Sequence, residues 1–296
     1  MGEQNQGIDP LHSFARPSVL VAFLLLLIAS PATASPARVM SLNVCTDQLV
    51  LALADPAQIV SLSALSDEPS LSSMHAAAAA FPKNRGLAEE VFVAKPDVVV
   101  TGVYSLHNTT QLLKHLGIAV EEFDYTQTLE TIPAEIRRMG AILGKTEKAE
   151  ALASGFEKEL AALTVAPGPD APRIISYGQN GVALGSGTLA DSVMRAAGFR
   201  NLAAEHGYSG MTPFPLELLI EERPEIVLLS RPYADKPSLA DQFIRHPAIA
   251  TLGSAARIDV APPGSWSCAG PSTIEALRAL SRLRVEIGAR PREATQ

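Results

Sequence analysis

The amino-acid sequence predicts an α/β fold with two similar lobes, each holding a mostly parallel sheet, and a long helix that joins them. Short apolar segments alternate with helix-like segments in two separate stretches of the chain, which is typical of parallel α/β units. A stretch with the period of an amphipathic helix lies between them. One block of sequence also occurs in both stretches, and such self-similarity indicates a duplicated architecture.

The first α/β unit begins with the apolar segment 39–43, which we interpret as a buried strand. Thr46 begins a helix, and Asp55-Pro56 ends it because the residue before a proline is biased away from helix. Gly117 is a good C-terminal cap for the last helix of the unit. The predicted strands are 39–43, 59–62, 98–101 and 118–123, and the predicted helices are 46–53, 76–80, 88–94 and 109–116.

Helical periodicity then continues through residues 129–163, where apolar residues recur every three or four positions. Gly144 interrupts the pattern, and Thr146 can restart it as an N-cap. We therefore predict one helix at about 129–143 and a longer one at about 146–163.

A second α/β unit follows, and its order of elements repeats that of the first. A strand leads to a helix that Thr188 begins and Gly198 ends, and a short helix led by Glu217 precedes the next strand. The predicted strands are 173–177, 226–229 and 257–260, and the predicted helices are 188–197, 216–222, 240–245 and 272–287.

The repeated block centres on two acidic residues, Glu89 and Glu217. Each stands seven residues before a proline, Pro96 or Pro224, with a basic residue before that proline and an acid after it. A short apolar run follows in both copies. A partner with its own two-fold arrangement could therefore bind both glutamates at once.

The N-terminus has the layout of a secretory signal peptide. An apolar run at 19–29 follows Arg16 and precedes an A-x-A pattern at Ala32 and Ala34. The run is shorter than the ~20 residues of a membrane span, so we predict export and cleavage after Ala34. The predicted organisation is a signal peptide at 1–34, a lobe at 35–144, a connecting helix at 145–165 and a second lobe at 166–296.

Charge and cysteine content narrow the class of protein. The net charge is −7 and no basic stripe is visible, which argues against a nucleic-acid partner. The only two cysteines are Cys45 and Cys268, and an even number in an exported protein suggests a disulfide. Two alternatives stay open, namely thiolates that coordinate a metal or a ligand's metal centre, and two unlinked thiols.

The chain resembles, over nearly the whole of its predicted mature part, the periplasmic substrate-binding proteins of iron–siderophore and cobalamin ABC importers. The order and spacing of several short segments carry this resemblance: Arg38-Val-Met-Ser-Leu-Asn43, Thr46-Asp47-Gln48-Leu49, Glu89 with Lys95-Pro96-Asp97, Leu116-Gly117-Ile118, Gly187-Thr188-Leu189, Ala197-Gly198-Phe199-Arg200-Asn201-Leu202, Glu217 with Arg223-Pro224-Glu225, and Ser265-Trp266.

The resemblance implies two Rossmann-like lobes joined by a rigid helix, with the ligand held in the cleft between them. It also implies a periplasmic, monomeric binding protein that is not an enzyme, uses no cofactor and takes a metal chelate as its ligand. In such importers one glutamate of each lobe docks onto arginines of the membrane permease dimer, and Glu89 and Glu217 match those positions. The alternative is that both are ordinary solvated residues in the first turn of a helix.

In lobes of this kind the ligand contacts loops at the carboxyl ends of the strands, and this rule predicts which residues bind it. Aromatic side chains there can pack flat on a macrocycle or a catecholate, and Arg85 and Arg231 can meet an anionic ferric chelate. The alternatives are tyrosines that cap their own lobe and arginines in surface ion pairs. The loops carry few arginines, which leaves a neutral corrinoid open. The predicted ligand-binding residues are Asn43, Thr46, Asp47, Arg85, Tyr104, Tyr177, Thr188, Arg231, Tyr233 and Trp266.

Two other classes are weighed against this prediction. A free zinc or manganese site needs converging histidines, and no His-x-His or His-rich loop occurs. The segment from Gly185 to Ala190 fits G-x-G-x-x-A, with Glu205 twenty residues after Gly185, as in dinucleotide-binding enzymes. A helix capped by Thr188 explains the same segment better. We therefore predict a periplasmic solute receptor for a ferric siderophore or a corrinoid, with these two classes as alternatives.

Overall fold

The computed structural model describes residues 37–124, 128–229, 239–258 and 260–288, which all belong to one compact unit, Pro36–Gln296. The predicted signal peptide lies outside the described residues. Within the described ranges, no helix combines the length and the apolar character that a membrane crossing requires.

The first sheet has five parallel strands in the order β3-β2-β1-β4-β5. Both faces of its central strands are covered, so Val39, Val98 and Val100 are buried and the strands read as continuous apolar runs. The strands are β1 (Val39–Ser41), β2 (Ile59–Ser63), β3 (Lys83–Asn84), β4 (Val98–Gly102) and β5 (Val120–Phe123), and the helices of this lobe are α1 (Val44–Leu53), α2 (His75–Ala78), α3 (Ala88–Ala94) and α4 (His107–His115).

Two helices connect the lobes, α5 (Ile132–Leu143) and α6 (Thr146–Leu163). Gly144 ends α5 in the left-handed conformation, with φ 66°, as the sequence predicts. Five of the residues that set the predicted period are buried in the core, Ile132, Ile136, Met139, Leu143 and Phe156, and the other three, Leu152, Leu160 and Leu163, are partly buried against it.

The second sheet is mixed, with the order β11-β10-β6-β7-β9 and β8 paired to β6. Strands β6, β8, β10 and β11 are parallel, whereas β7 runs antiparallel to β6 and β9. The strands are β6 (Arg173–Tyr177), β7 (Val182–Leu184), β8 (Arg200–Asn201), β9 (Met211–Pro213), β10 (Ile226–Leu229) and β11 (Ala256–Ile258), and the helices are α7 (Leu189–Ala196), α8 (Leu202–Glu205), α9 (Leu216–Glu222), α10 (Pro247–Ala250) and α11 (Thr273–Gly288).

The two-lobed α/β fold that the sequence predicts is confirmed, with several local differences. Strands β3, β7, β8 and β9 and the short helices α8 and α10 were not predicted, and the segment 240–245 forms a short 3-10 turn at 239–242 instead of a helix. One hydrophobic cluster runs from α1 through α5 and α6 to α7 and α11, so the lobes share a continuous core. The lobe boundaries at residues 144 and 166 stay predictions.

Close packing of α5 on α6 depends on a glycine. A Cβ atom on Gly140 would lie 2.1 Å from Cβ of Ala149 and 3.2 Å from the carbonyl oxygen of Lys145. Arg137 adds a second tie, because its guanidinium bonds Glu150 at 2.8 Å and Glu157 at 2.7 Å on α6. Helices α5 and α6 are therefore held together by close packing at Gly140 and by the ion pairs of Arg137 on their exposed side.

We expect Gly140→Ala to lower the free energy of unfolding by about 1–3 kcal/mol, because the added methyl group must push α5 and α6 apart. Gly155→Ala is the matched control, since nothing lies within 4 Å of a Cβ atom there. It should raise stability by ~0.5–1 kcal/mol by restricting the unfolded chain. Urea unfolding followed by circular dichroism measures both, and equal effects of the two substitutions would contradict this packing argument.

Candidate functional site

The two copies of the repeated block form the same structure. Helices α3 and α9 each have seven residues and each bury one apolar anchor, Val91 or Leu219. Each ends at a basic residue in the left-handed conformation, Lys95 with φ 48° and Arg223 with φ 45°. Glu89 and Glu217 both occupy the second position of their helices.

An arginine at the start of each first strand ties the helix to its sheet. In the first lobe, the backbone N–H of Arg38 donates to Oδ2 of Asp97 at 2.7 Å. Its guanidinium donates to the carbonyl oxygens of Lys95 at 2.8 Å and Ala94 at 3.2 Å, at the C-terminus of α3. The arginine therefore binds two of the carbonyls that a helix end leaves unsatisfied.

Arg173 makes the equivalent contacts in the second lobe. Its backbone N–H donates to Oε2 of Glu225 at 2.8 Å, and its guanidinium donates to the carbonyl oxygen of Glu222 at 2.5 Å. A further bond joins this guanidinium to Oε2 of Glu222 at 2.6 Å. The acid after each proline thus accepts from the arginine backbone. We call these two sets of contacts, Arg38–Asp97 and Arg173–Glu225, the arginine clamps.

Glu89 and Glu217 are both exposed, as a docking role requires. In the first lobe the neighbouring Glu90 is occupied, because its carboxylate accepts from the backbone N–H groups of Arg85 at 2.9 Å and Leu87 at 3.1 Å. Burial, and then the nearby carboxylate of Glu217, raise the pKa of Tyr177. The docking role of the two glutamates stays a prediction.

In the first lobe, three predicted ligand-binding residues lie just after β1, namely the N-cap of α1 and two residues of its first turn. Asn43 caps α1 by accepting from the N–H of Cys45 at 2.8 Å, and its amide donates to the hydroxyl of Ser105 at 2.6 Å. Asn43 therefore links the loops that follow β1 and β4 at one edge of the sheet. Thr46 is buried, with its hydroxyl 2.8 Å from that of Ser41.

Asp47 lies inside the lobe and is fully buried. Its carboxylate accepts from the backbone N–H of Ser63 at 3.0 Å and from the hydroxyl of Ser63 at 2.5 Å, which ties α1 to the end of β2. Desolvation by burial raises the pKa of Asp47 to about 7, and the bonds from Ser63 oppose this shift. Thr46 and Asp47 thus support the loop from beneath, and direct ligand contact by either stays a prediction.

The other predicted contacts differ in exposure. Arg85 is exposed and Tyr104 is 83% exposed, both at the carboxyl ends of first-lobe strands. Tyr177 is fully buried, and its hydroxyl donates to the carbonyl oxygen of Phe214 at 3.4 Å. Thr188 caps α7 by accepting from the N–H of Asp191 at 3.1 Å. The predictions for Arg231 and Tyr233 fall outside the described residues.

A disulfide between Cys45 and Cys268 joins the two lobes, with Cα atoms 5.2 Å apart. It connects the first turn of α1 to the segment that follows β11. Nearby, the hydroxyl of Ser267 donates to the carbonyl oxygen of Ser70 at 3.1 Å. A Cβ atom on Gly264 would lie 2.5 Å from the backbone of Ser72, so only glycine permits this approach. We call the segment 262–268 with its first-lobe contacts the lobe junction.

Trp266 sits in the lobe junction, partly buried and packed against the shared core. The junction brings the segment that follows β11 against the start of α1, where the chain leaves the carboxyl edge of the first sheet. Ligands of open parallel sheets bind outside such edges. A ligand crevice at this place, with Asn43, Tyr104 and Trp266 among its contacts, stays a prediction.

The two alternative classes lack support from local geometry. In the part of the chain that the structure describes, no group of three or more His, Cys, Asp or Glu residues is placed to hold a metal ion. A Cβ atom on Gly185 would lie 2.2 Å from the carbonyl oxygen of Tyr208. This glycine of the G-x-G-x-x-A segment therefore permits backbone packing within the lobe, and Thr188 caps the helix as the alternative interpretation expects.

Comparison with known proteins gives the family and the fold. The sequence model of the periplasmic binding protein family matches residues 39–258. A cobalamin-binding protein of Halobacterium salinarum (strain ATCC 29341 / DSM 671 / R1) is 23% identical over 197 residues, which is 65% of this chain and 53% of that protein. A second strain of the species, ATCC 700922 / JCM 11081 / NRC-1, gives the same values. The chain thus spans about half the length of the curated relatives it matches.

Solved structures share the fold at low identity. A periplasmic heme-binding protein of Roseiflexus sp. RS-1 in apo form superposes with a TM-score of 0.66 at 21% identity, covering 85% of this chain and 97% of that one. The periplasmic vitamin B12-binding protein of Vibrio cholerae gives 0.65 at 17% identity, with 86% and 99% covered. These similarities confirm the predicted two-lobed α/β architecture.

Reduction of the disulfide should lower the free energy of unfolding by about 2–5 kcal/mol, because the bond closes a loop of 223 residues in the unfolded chain. Urea unfolding with and without dithiothreitol measures the change. The Cys45→Ser/Cys268→Ser variant is the control and should not respond to the reductant. Equal stability of the oxidised and reduced protein would contradict a stabilising bond.

Burial of Asp47 should make stability depend on pH. Its pKa in the folded protein, about 7, exceeds the ordinary value of 3.8, so the folded state binds the proton more tightly than the unfolded state does. Its contribution is therefore fully present below about pH 4 and is lost as the pH rises through 7.

We expect the stability of wild type relative to Asp47→Asn to fall between pH 4 and pH 7, because asparagine does not titrate. Unfolding free energies at several pH values measure this difference. A constant difference across the range would show that Asp47 keeps its ordinary pKa.

Proposed function

The chain belongs to the periplasmic binding protein family, and from that premise we propose that it captures a metal chelate of the ferric siderophore or corrinoid type and delivers it to an ABC importer. The observation that carries the proposal is the lobe junction. The Cys45–Cys268 disulfide supports the proposal, because it holds the segment after β11 against the carboxyl edge of the first sheet, where we expect the ligand crevice. Binding in such a crevice needs no catalytic chemistry.

Within this class of ligand, the described loops favour a corrinoid. Asn43 and Ser105 can hydrogen-bond the amide groups that surround a corrin ring. Tyr104 and Trp266 offer flat aromatic faces for its plane. Among the described residues of these loops, Arg85 is the one arginine, so the site suits a ligand of low charge. The relative in Halobacterium salinarum that carries the name cobalamin-binding protein supports the same ligand class.

A ferric chelate is the second candidate, and Tyr104 is the observation that favours it. A tyrosine phenolate is a known ligand of ferric iron in haem proteins. Tyr104 is 83% exposed in the segment after β4, where a chelate in the crevice can approach it. The similarity to a heme-binding protein of Roseiflexus supports this candidate.

We also propose that Glu89 and Glu217 dock the loaded protein onto the permease dimer. Support comes from the arginine clamps, which fix α3 and α9 to their sheets in the same way. The two carboxylates therefore stand at equivalent positions of the two lobes. Charge-assisted contacts to arginines give such a complex its register and orientation. The periplasmic location follows from the family and from the predicted signal peptide.

Fluorescence of Trp266, the only tryptophan, tests the ligand class directly. Purified mature protein is titrated with cyanocobalamin, cobinamide, haemin, ferrichrome, ZnCl₂, MnCl₂ and NAD, and binding is checked by calorimetry. We expect saturable quenching by the two corrinoids at micromolar concentration or below. Saturation by zinc, manganese or NAD alone would replace the proposal by one of the two alternative classes.

Tyr104→Ala should weaken cyanocobalamin binding about tenfold, since loss of an aromatic face costs roughly 1.4 kcal/mol. Calorimetry measures the affinity. Phe92→Ala is the matched control, because Phe92 is another exposed ring, 63% accessible, on a helix away from the crevice. The same loss in both variants would remove Tyr104 from the site.

Charge reversal at both docking residues, Glu89→Arg with Glu217→Arg, should abolish uptake of [57Co]cyanocobalamin by cells while its affinity for the purified protein stays unchanged. Glu147→Arg with Glu275→Arg is the control, since both are exposed and lie in the first turn of a helix. Normal uptake by the first variant would refute docking through these glutamates, and weakened ligand affinity would place them in the binding site.

A further inference from the structure

Helices α3 and α9 agree in every buried position but differ on their exposed faces. Val91 and Leu219 are buried at the fourth position of each helix, and Glu89 and Glu217 are exposed at the second. The difference falls at the sixth position, which is Val93 in α3 and Glu221 in α9. Residues four apart lie on one face of a helix, so each of these residues neighbours the docking glutamate of its lobe.

The face of α3 is apolar beside its glutamate. Val93 is 79% exposed, Phe92 is 63% exposed and Leu87, just before the helix, is 50% exposed. These are three of the large hydrophobic side chains left open to solvent, and all three lie within the seven residues 87–93, which include Glu89. None of the three contributes to the buried core of the lobe. Exposed apolar groups clustered beside a charged anchor are typical of a binding surface.

The face of α9 is acidic at the same place. Glu217 and Glu221 are both exposed and stand four residues apart, which puts two carboxylates side by side. Glu222 is not available to a partner, because Arg173 and His206 hold its carboxylate at 2.6 and 3.0 Å. Ile220 is only partly exposed, so this face lacks the open apolar surface of α3.

We propose that the two lobes dock onto the permease through chemically different contacts. This inference rests on the proposed function. The first lobe buries Phe92 and Val93 against an apolar surface around the Glu89 ion pair. The second lobe presents Glu217 and Glu221 together to a basic surface. The partner is one membrane permease assembly with a mixed apolar and basic site for one lobe and a basic site for the other.

Salt separates the two kinds of contact. Exposed ion pairs weaken as salt screens them, whereas burial of apolar surface is not weakened in this way. The second-lobe contact should therefore carry most of the salt dependence of the complex. The first-lobe contact should hold the complex together at high ionic strength.

The test begins by identifying the permease. Benzoylphenylalanine at position 93 or 221 is photocrosslinked in cells of the source organism, and mass spectrometry identifies the adduct. The permease found in this way is reconstituted in lipid nanodiscs. Its affinity for full-length mature binding protein is measured by biolayer interferometry at 50 and 500 mM NaCl. Nanodiscs of the same anionic lipid without permease serve as the blank.

We expect Val93→Glu to weaken binding at least tenfold at both salt concentrations. Glu221→Val should weaken binding three- to tenfold at 50 mM NaCl and have little effect at 500 mM NaCl, because salt already screens that contact. Val285→Glu is the matched control, with a valine 73% exposed on α11, and should leave the affinity unchanged. Circular dichroism confirms folding of each variant, since all three positions are exposed.

Three results would overturn the inference. One is a Val93→Glu variant that binds as Val285→Glu does. Another is the same salt dependence for Val93→Glu and Glu221→Val. Equal binding to nanodiscs with and without the permease would also overturn it, because the partner would then be the lipid surface. Failure of the proposed docking through Glu89 and Glu217 would give a different result. In that case the Glu89→Arg/Glu217→Arg variant would bind the permease as wild type does.

Discussion

The arginine clamps are the contacts on which the placement of α3 and α9 depends. A helix of seven residues is too short to be stable by itself, so its position must come from tertiary contacts. Arg38 and Arg173 each bind a helix C-terminus with the guanidinium and a carboxylate with the backbone, and so join helix, turn and strand in one set of bonds. The buried anchors Val91 and Leu219 hold the other end.

The same clamps explain what the repeated block encodes. The basic residue before the proline adopts the left-handed conformation that ends the helix, and the proline prevents the helix from continuing. The acid that follows accepts the backbone N–H of an arginine 59 or 52 positions earlier in the chain. Glu89 and Glu217 take no part in the clamps, which fits the docking role proposed for them.

Sequence reasoning predicted the elements whose signals are local. The parallel strands at the sheet centres follow from apolar runs, and α5 and α6 follow from a 3.6-residue period with glycine between them. Strands β7 and β9 have three residues each and pair with each other across a separation that no local pattern reveals. The arginine clamps were missed for the same reason, since each joins residues about fifty positions apart.

The predictions for the candidate site likewise divide into those that have a local sequence signal and those that do not. Position after a strand places Asn43 and Tyr104 at the carboxyl edge of the first sheet, and their contact with a ligand stays a prediction. It gave no sign that Thr46 and Asp47, one helical turn further on, point inward and tie α1 to Ser41 and Ser63. How deeply a residue at the start of α1 is buried depends on the rotation of that helix about its axis against the sheet. The rule that ligands contact loops at the carboxyl ends of strands says nothing about this rotation.

Duplication constrains the interior of the two lobes more tightly than their surface. Positions that face the sheet keep an apolar residue in both copies, because a polar group there would lose its hydrogen bonds to water. The exposed positions of α3 and α9 carry no such cost, so valine in one lobe and glutamate in the other fit equally well in the fold. The proposed docking uses this freedom, because Val93 and Glu221 give two helices with the same buried contacts different exposed chemistry.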